Sequence, residues 1–171
     1  EAAANARGAE QAAARAALGA LKGREVDAAI LALLAQKPSE NVQAELLTAI
    51  ADRRIYPAKT IVASALADQS PRVRLSALRG IRIIGTPSDI PAVLDLLLSG
   101  SEDSDRTEAE KTVVALAQKI DSLESRSGTV RARLAGEKKA ESRVRLINVL
   151  PLVGDPSALP VLRPLVDDDD A

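Results

Sequence analysis

The chain has no histidine, cysteine, methionine, tryptophan or phenylalanine, and Tyr56 is its one aromatic residue. Each absence removes a class of chemistry. Without His and Cys there are no usual zinc ligands, no imidazole general base and no thiolate nucleophile. No metal site and no cofactor is therefore expected. Carboxylates, hydroxyls and lysines remain, so catalysis is disfavoured rather than forbidden, and the chain reads as a non-enzyme. A net charge of −1 and a pI near 5.6 give no bulk attraction to nucleic acid or to an anionic membrane, and neither is an expected partner. The longest apolar run, 28–35, is far too short to cross a bilayer. The first residues lack the basic, apolar and cleavage segments of a secretory leader. The sequence opens at Glu1 without Met, which suggests a piece of a longer chain.

What is present is aliphatic. Of the 171 residues 46% are hydrophobic and 27% charged, the balance of a globular protein with a core of Ala, Leu, Ile and Val. Ala and Leu lose little side-chain freedom in a helix, so composition favours α over β.

Periodicity then decides the architecture. The segment 73–98, VRLSALRGIRIIGTPSDIPAVLDLLL, parallels 142–166, SRVRLINVLPLVGDPSALPVLRPLV. Gly85, Pro87, Ser88 and Pro91 match Gly154, Pro156, Ser157 and Pro160 at a constant offset of 69, two repeats of about 34 residues. One ladder of apolar positions runs Ala16, Leu46, Ala77, Val113 and Leu146, with steps of 30, 31, 36 and 33. A second runs Ile30, Val62, Val93, Val130 and Leu162, with steps of 32, 31, 37 and 32. Both stretch between the third and fourth units.

Within a unit the apolar spacing is helical, as at Val73, Ala77, Ile81 and Ile84. Ser70-Pro71, Thr86-Pro87 and Asp155-Pro156 place a capping residue before a first-turn proline, and Gly85 and Gly154 follow apolar runs as C-terminal caps do. The expected helices are 9–21, 24–36, 38–53, 57–67, 71–84, 87–98, 106–120, 123–135, 138–153 and 156–166. Pro91 and Pro160 fall inside two of them, where a proline implies a kink. The expected fold is an all-α superhelical solenoid of about five helix pairs, 1–171 forming one domain, with Ala77, Ile81, Val93, Leu97, Val113, Leu146 and Leu162 buried.

The two quoted strings resemble the short bacterial HEAT-like repeats, of the kind also found in phycobilisome-lyase-type proteins. The stretch 107–120, TEAEKTVVALAQKI, is similar to HEAT modules of large multidomain planctomycete-type proteins. The resemblance implies an Asp–Arg pair linking successive turns, at Asp68 and Arg74 here, with Arg143 repeating the arginine. It also implies an interaction surface or spacer, since HEAT arrays serve many unrelated proteins. The leading expectation is a non-catalytic interaction or scaffold module, monomeric, with a protein or peptide partner. The alternatives are an enzyme domain resembling a bilin lyase or a DNA glycosylase, and a module that binds nucleic-acid backbone. The first needs an aromatic-lined pocket, and one tyrosine does not line it.

Three segments are candidates for function. In HEAT units the second helices line the concave side. Core register then leaves Leu75, Arg79 and Arg82 facing that side, with Ala44 and Thr48, Lys111 and Gln118, and Val144 and Asn148 in equivalent places. The candidate partner-binding set is Thr48, Leu75, Arg79, Arg82, Lys111, Gln118 and Asn148, a mildly basic strip suited to an acidic peptide. A solvated helix face has the same composition without any partner. The second candidate is the connection 99–105, which carries Glu102, Asp103 and Asp105 where the period stretches, but its spacing is not that of a calcium loop. The third is the basic run 131–145, with Arg131, Arg133, Lys138, Lys139, Arg143 and Arg145, read chiefly as mixed surface charge. The acidic residues 167–170 read as the turn before a further second helix.

Overall fold

The computed structural model describes residues 2–21, 23–100 and 102–166, so the acidic segment 167–170 lies outside the described residues. Among the described residues there is no strand. The helices are α1 (Ala2–Asn5), α2 (Gly8–Ala20), α3 (Arg24–Ala35), α4 (Glu40–Asp52), α5 (Lys59–Ser64) and α6 (Pro71–Ile84), then α7 (Ile90–Ser99), α8 (Asp103–Ala117), α9 (Gly128–Gly136), α10 (Ala140–Val149) and α11 (Leu159–Val166). The all-α repeat expected from periodicity is the fold that forms, with α1 as an unforeseen addition. The chain divides into two compact units, Glu1–Gly85 and Thr86–Ala171.

In the first unit α4 packs against α6, with α3 on α4 and α5 on α6. Ile30, Leu46, Leu47, Ile50, Val62, Val73, Ala77, Leu78, Ile81 and Ile84 close its core. On α4 and α6 these are i, i+3 and i+4 neighbours forming one apolar stripe, which Ile30 of α3 and Val62 of α5 help to cover. In the second unit α7 packs against α8, and α9 against α10. Val93, Leu97, Val113, Val130, Leu134, Leu146 and Val149 are buried there.

Two rungs of the ladders depart from expectation. Ala16 is exposed, because α2 buries none of its side chains. Leu162 is half-buried on α11, whose main contacts are with the turn that precedes it. A residue at a buried ladder position is covered only where helices flank it on both sides.

Pro91 and Pro160 do not fall in helix interiors, so the expected kinks are replaced by helix starts. A 3-10 turn, Pro87–Asp89, runs into α7, and a second, Pro156–Ala158, runs into α11. Pro91 and Pro160 are each the second residue of the α-helix that follows. In that first turn the missing N–H has no intrahelical acceptor to lose. Pro164, by contrast, lies inside α11.

The stretched period also has a different seat. Helix α7 ends at Ser99 and α8 begins at Asp103, so the connection 99–105 is short. The additional residues lie between Ala117 and Gly128, around the 3-10 turn Leu123–Ser125. Counted from helix starts, the rung equivalent to Leu46 and Ala77 is Ala109, one turn before Val113, and Ala109 is fully buried.

Capping is mixed. Thr86 and Asp89 form a reciprocal capping box, and Asp155 accepts from the Ser157 N–H at 2.8 Å. The Ser70 hydroxyl is buried and caps nothing; the Asp68 carboxylate takes the Ser70 N–H at 2.8 Å. Gly154 adopts the left-handed conformation expected of a C-terminal cap (φ 69°), whereas Gly85 is extended, with φ −76° and ψ 171°. Gly85 is needed for space: a Cβ there would lie 2.3 Å from the Ile81 carbonyl oxygen.

The arginine at the fourth position of the second helices acts through backbone. Arg74 donates to the carbonyls of Asp68 and Gln69, both at 2.8 Å, and Arg106 to that of Gly100 at 2.6 Å. Arg143 donates to Leu134 and Glu137 at 3.2 Å, and Gln43 fills the same place by donating to Pro38 at 2.7 Å. Apart from Leu134, these carbonyls lie in the cap and connection just beyond each first helix, where no helical N–H follows to satisfy them, and one long side chain from the next helix supplies the donor.

Candidate functional site

Helices α4 and α6 run together in the first unit, and the groove along them has a volume of about 290 Å³. Four of the seven residues expected from sequence line it: Thr48 from α4, and Leu75, Arg79 and Arg82 from α6. Helical spacing brings this about. With Ala77 and Ile81 buried, Leu75, Arg79 and Arg82 recur on the opposite side at steps of four and three. Ala44, Thr48, Ala51 and Ser76 are the small residues of its lining.

Sequence reading overlooked the groove's electrostatic centre, Glu45. Its neighbour Leu46 marks the core, and a charged residue beside it reads as surface, yet Glu45 is only 5% exposed. Arg15 from α2 holds it in a fork, Nε to Oε2 and Nη2 to Oε1, both at 2.5 Å. Gln11 donates to Oε1 at 3.2 Å and Arg72 at 3.4 Å, while Arg72 also reaches Asn41 at 2.8 Å. The hydrogen bond to Glu45 is the main force raising the Arg15 pKa; burial opposes it, and the charges of Glu45 and Asp52 add to it. A buried carboxylate persists only when paired in this way. Around the groove four guanidinium groups, of Arg15, Arg72, Arg79 and Arg82, meet two carboxylates, Glu45 and Asp52. Among the lining residues guanidinium groups thus outnumber carboxylates four to two, and Arg79 and Arg82 each have further interactions of their own.

The other expected residues belong to the second unit. Lys111 on α8, Gln118 just beyond its end and Asn148 on α10 are exposed, and Lys111 lies 3.8 Å from Glu108. The carboxylates of the 99–105 segment are not a loop cluster: Asp103 and Asp105 are in the first turn of α8, Asp103 pairs with Arg106, and Asp105 is fully buried. Among the described residues no group of three or more acidic side chains is placed to hold a metal ion. The basic run 131–145 is tied into its own unit. Arg133 pairs with Asp95 at 3.0 Å, Arg145 reaches the Leu97 carbonyl at 3.3 Å, and Arg131 that of Ser157 at 3.4 Å.

A second buried carboxylate has a structural task. Asp155 accepts from the Ser127 N–H at 2.8 Å and the Ser127 hydroxyl at 2.5 Å, as well as from Ser157. Burial works against the charged form, but these hydrogen bonds prevail and hold its pKa well below the usual carboxylate range. It staples the start of α9 to the turn before α11.

The family description "HEAT repeats" matches residues 27–113, from α3 to α8, and the chain belongs to this family. The match covers both helices of the groove. No curated protein and no solved structure matches the chain. HEAT repeats are in general protein-interaction or scaffold modules and are typically non-enzymatic. No helix among the described residues is long and apolar enough to cross a membrane.

Proposed function

We propose that this chain is a non-catalytic interaction module whose α4–α6 groove docks an acidic protein segment. The observation that carries the reading is that four arginines, Arg15, Arg72, Arg79 and Arg82, line one groove along α4 and α6. Charges so arranged steer an acidic partner and set its register. Lys111, Gln118 and Asn148 are proposed as partner contacts of the second unit taken by itself, and the sequence ladders support one repeat domain over 1–171. The strings that resemble short bacterial HEAT repeats support the reading of a module from a larger multidomain bacterial protein, which we propose acts as a monomer. An enzymatic pocket for a flat ring finds no support, since Tyr56 is exposed and absent from the groove.

The test uses a random heptapeptide pool with glutamate fixed at two central positions, its association followed at two salt concentrations. Arg79→Glu with Arg82→Glu slows association severalfold at low salt, and the difference shrinks as salt screens charges over about 8–10 Å. Arg131→Glu with Arg133→Glu has much less effect. Equal losses from the two pairs refute the groove.

A further inference from the structure

We infer that a polar cleft beside the groove, formed by α1, α2, α4 and the start of α6, binds the backbone of an extended peptide segment through Gln11 and Asn41. The inference rests on the docking reading above and adds the conformation in which the partner is held.

The cleft lies in the first unit and meets the groove at Arg72, which lines both. Its other polar residues are Asn5, Arg7, Gln11 and Asn41, and only Ala4 and Ala6 add apolar lining. Two of these amides are oriented by the chain itself. The Gln11 Nε2 group donates to the Ala3 carbonyl at 2.8 Å and to Glu45 Oε1 at 3.2 Å. The Asn41 Oδ1 accepts from Arg72 Nη1 at 2.8 Å. A side-chain amide has one acceptor end and one donor end, so partners on one end settle what the other presents. Among the described residues, nothing in the chain donates to Gln11 Oε1, and Asn41 Nδ2 donates to nothing.

One cleft thus offers a neutral acceptor and a neutral donor. The chemistry that matches both is a peptide backbone, its N–H donating to Gln11 Oε1 and its C=O accepting from Asn41 Nδ2. A helix does not fill this role, because between its ends the N–H and C=O groups are bonded to one another. An extended segment has both free, and each residue other than proline supplies one of each. The preference for an extended occupant therefore comes from hydrogen-bonding capacity.

The buried carboxylate of Glu45 joins the two places. Its Oε1 takes Gln11 from the cleft, Arg72 from the wall between them and Arg15 from the groove. A segment crossing Arg72 sets its backbone against Gln11 and Asn41 while its acidic side chains reach the groove. Amides ordered beforehand lose less freedom when they bind. They take no account of side-chain identity, so the amides hold the segment and the arginines choose it.

The experiment measures two random heptapeptide pools by fluorescence anisotropy on the full 171-residue chain, both with glutamate fixed at two central positions. One pool has ordinary amides. In the other, esters replace the central amides, which removes N–H donors and leaves the side chains unchanged. The amide pool is expected to bind about three- to tenfold tighter. Gln11→Lys keeps a donor for Ala3 and Glu45 but loses the acceptor, so it brings the pools to equal affinity, its added charge acting on both alike. Asn41→Ala weakens both pools, since both retain carbonyls. Circular dichroism verifies the fold of each variant. If the pools bind the native chain equally and both depend on Arg79 and Arg82, backbone recognition is overturned and acidic docking stands. If the amide preference survives Gln11→Lys, or Asn41→Ala leaves both affinities unchanged, the cleft assignment is overturned. If neither pool binds, both readings fall.

Discussion

Replacing Asp155 by asparagine isolates the staple between α9 and the turn before α11. The carboxylate takes three hydrogen bonds, from the Ser127 N–H, the Ser127 hydroxyl and the Ser157 N–H. The asparagine side chain keeps one oxygen, so one end of the staple survives and the other faces an amide NH₂ that cannot accept. Hydrogen bonds to charged groups contribute about 1.5–3 kcal/mol, and Asp155→Asn is expected to lose about that much at pH 7. With a urea dependence of about 1–3 kcal/mol/M, the unfolding midpoint drops by on the order of 1 M. The pH dependence supplies an independent check. The folded pKa lies below the unfolded value of about 3.9, so the contribution is complete above that value and is lost as pH falls toward the folded pKa. Between pH 4 and pH 3 the native chain should lose up to about 1.4 kcal/mol more than the variant. The gap between them therefore narrows on acidification. An unchanged midpoint at pH 7, or a gap as wide at pH 3 as at pH 7, refutes the reasoning.

Five further substitutions, two of them controls, test the packing and the backbone hydrogen bonds. Ile81→Ala, at a fully buried position, is expected to cost about 2–5 kcal/mol in urea unfolding, while Arg79→Ala on the same helix costs within about 0.5 kcal/mol; similar losses would mean a wrong helix register. Gly85→Ala drives a Cβ to 2.3 Å from the Ile81 carbonyl oxygen and should lower stability by about 1–3 kcal/mol, whereas Gly136→Ala, where a Cβ meets nothing within 4 Å, should not; thermal unfolding distinguishes them. Arg143→Ala removes two bonds to the Leu134 and Glu137 carbonyls and should raise amide exchange at the end of α9, with a loss of about 0.5–1.5 kcal/mol per bond.

Much of this fold was legible because a helix repeat writes its core as periodic aliphatic residues. Ala77, Ile81, Val93, Leu97, Val113 and Leu146 are buried where periodicity put them. The misreadings share a cause: period locates a position but not what covers it. Ala16 obeys the ladder yet lies on a helix without buried side chains. Val113 fits the apolar rule one turn beyond its true equivalent, which moved the insertion from 118–127 to 99–105. Pro91 looked like a kink because sequence does not separate a 3-10 turn from the α-helix it feeds.

The groove was half legible. Thr48, Leu75, Arg79 and Arg82 follow from the core register of α4 and α6 alone. Glu45 and Arg15 do not, since their fork joins residues 30 apart on helices whose spacing no local pattern encodes. The only sequence signal was a glutamate amid the buried run 44–47.

The central claim, that the α4–α6 groove is the docking surface, is tested most directly by hydrogen–deuterium exchange of the 171-residue chain with and without a saturating concentration of the glutamate-centred pool. The account predicts slowed exchange concentrated in α4 and α6, lost in the Arg79→Glu, Arg82→Glu variant. Protection confined to α9, α10 or α11, or protection that survives the reversal, would contradict it.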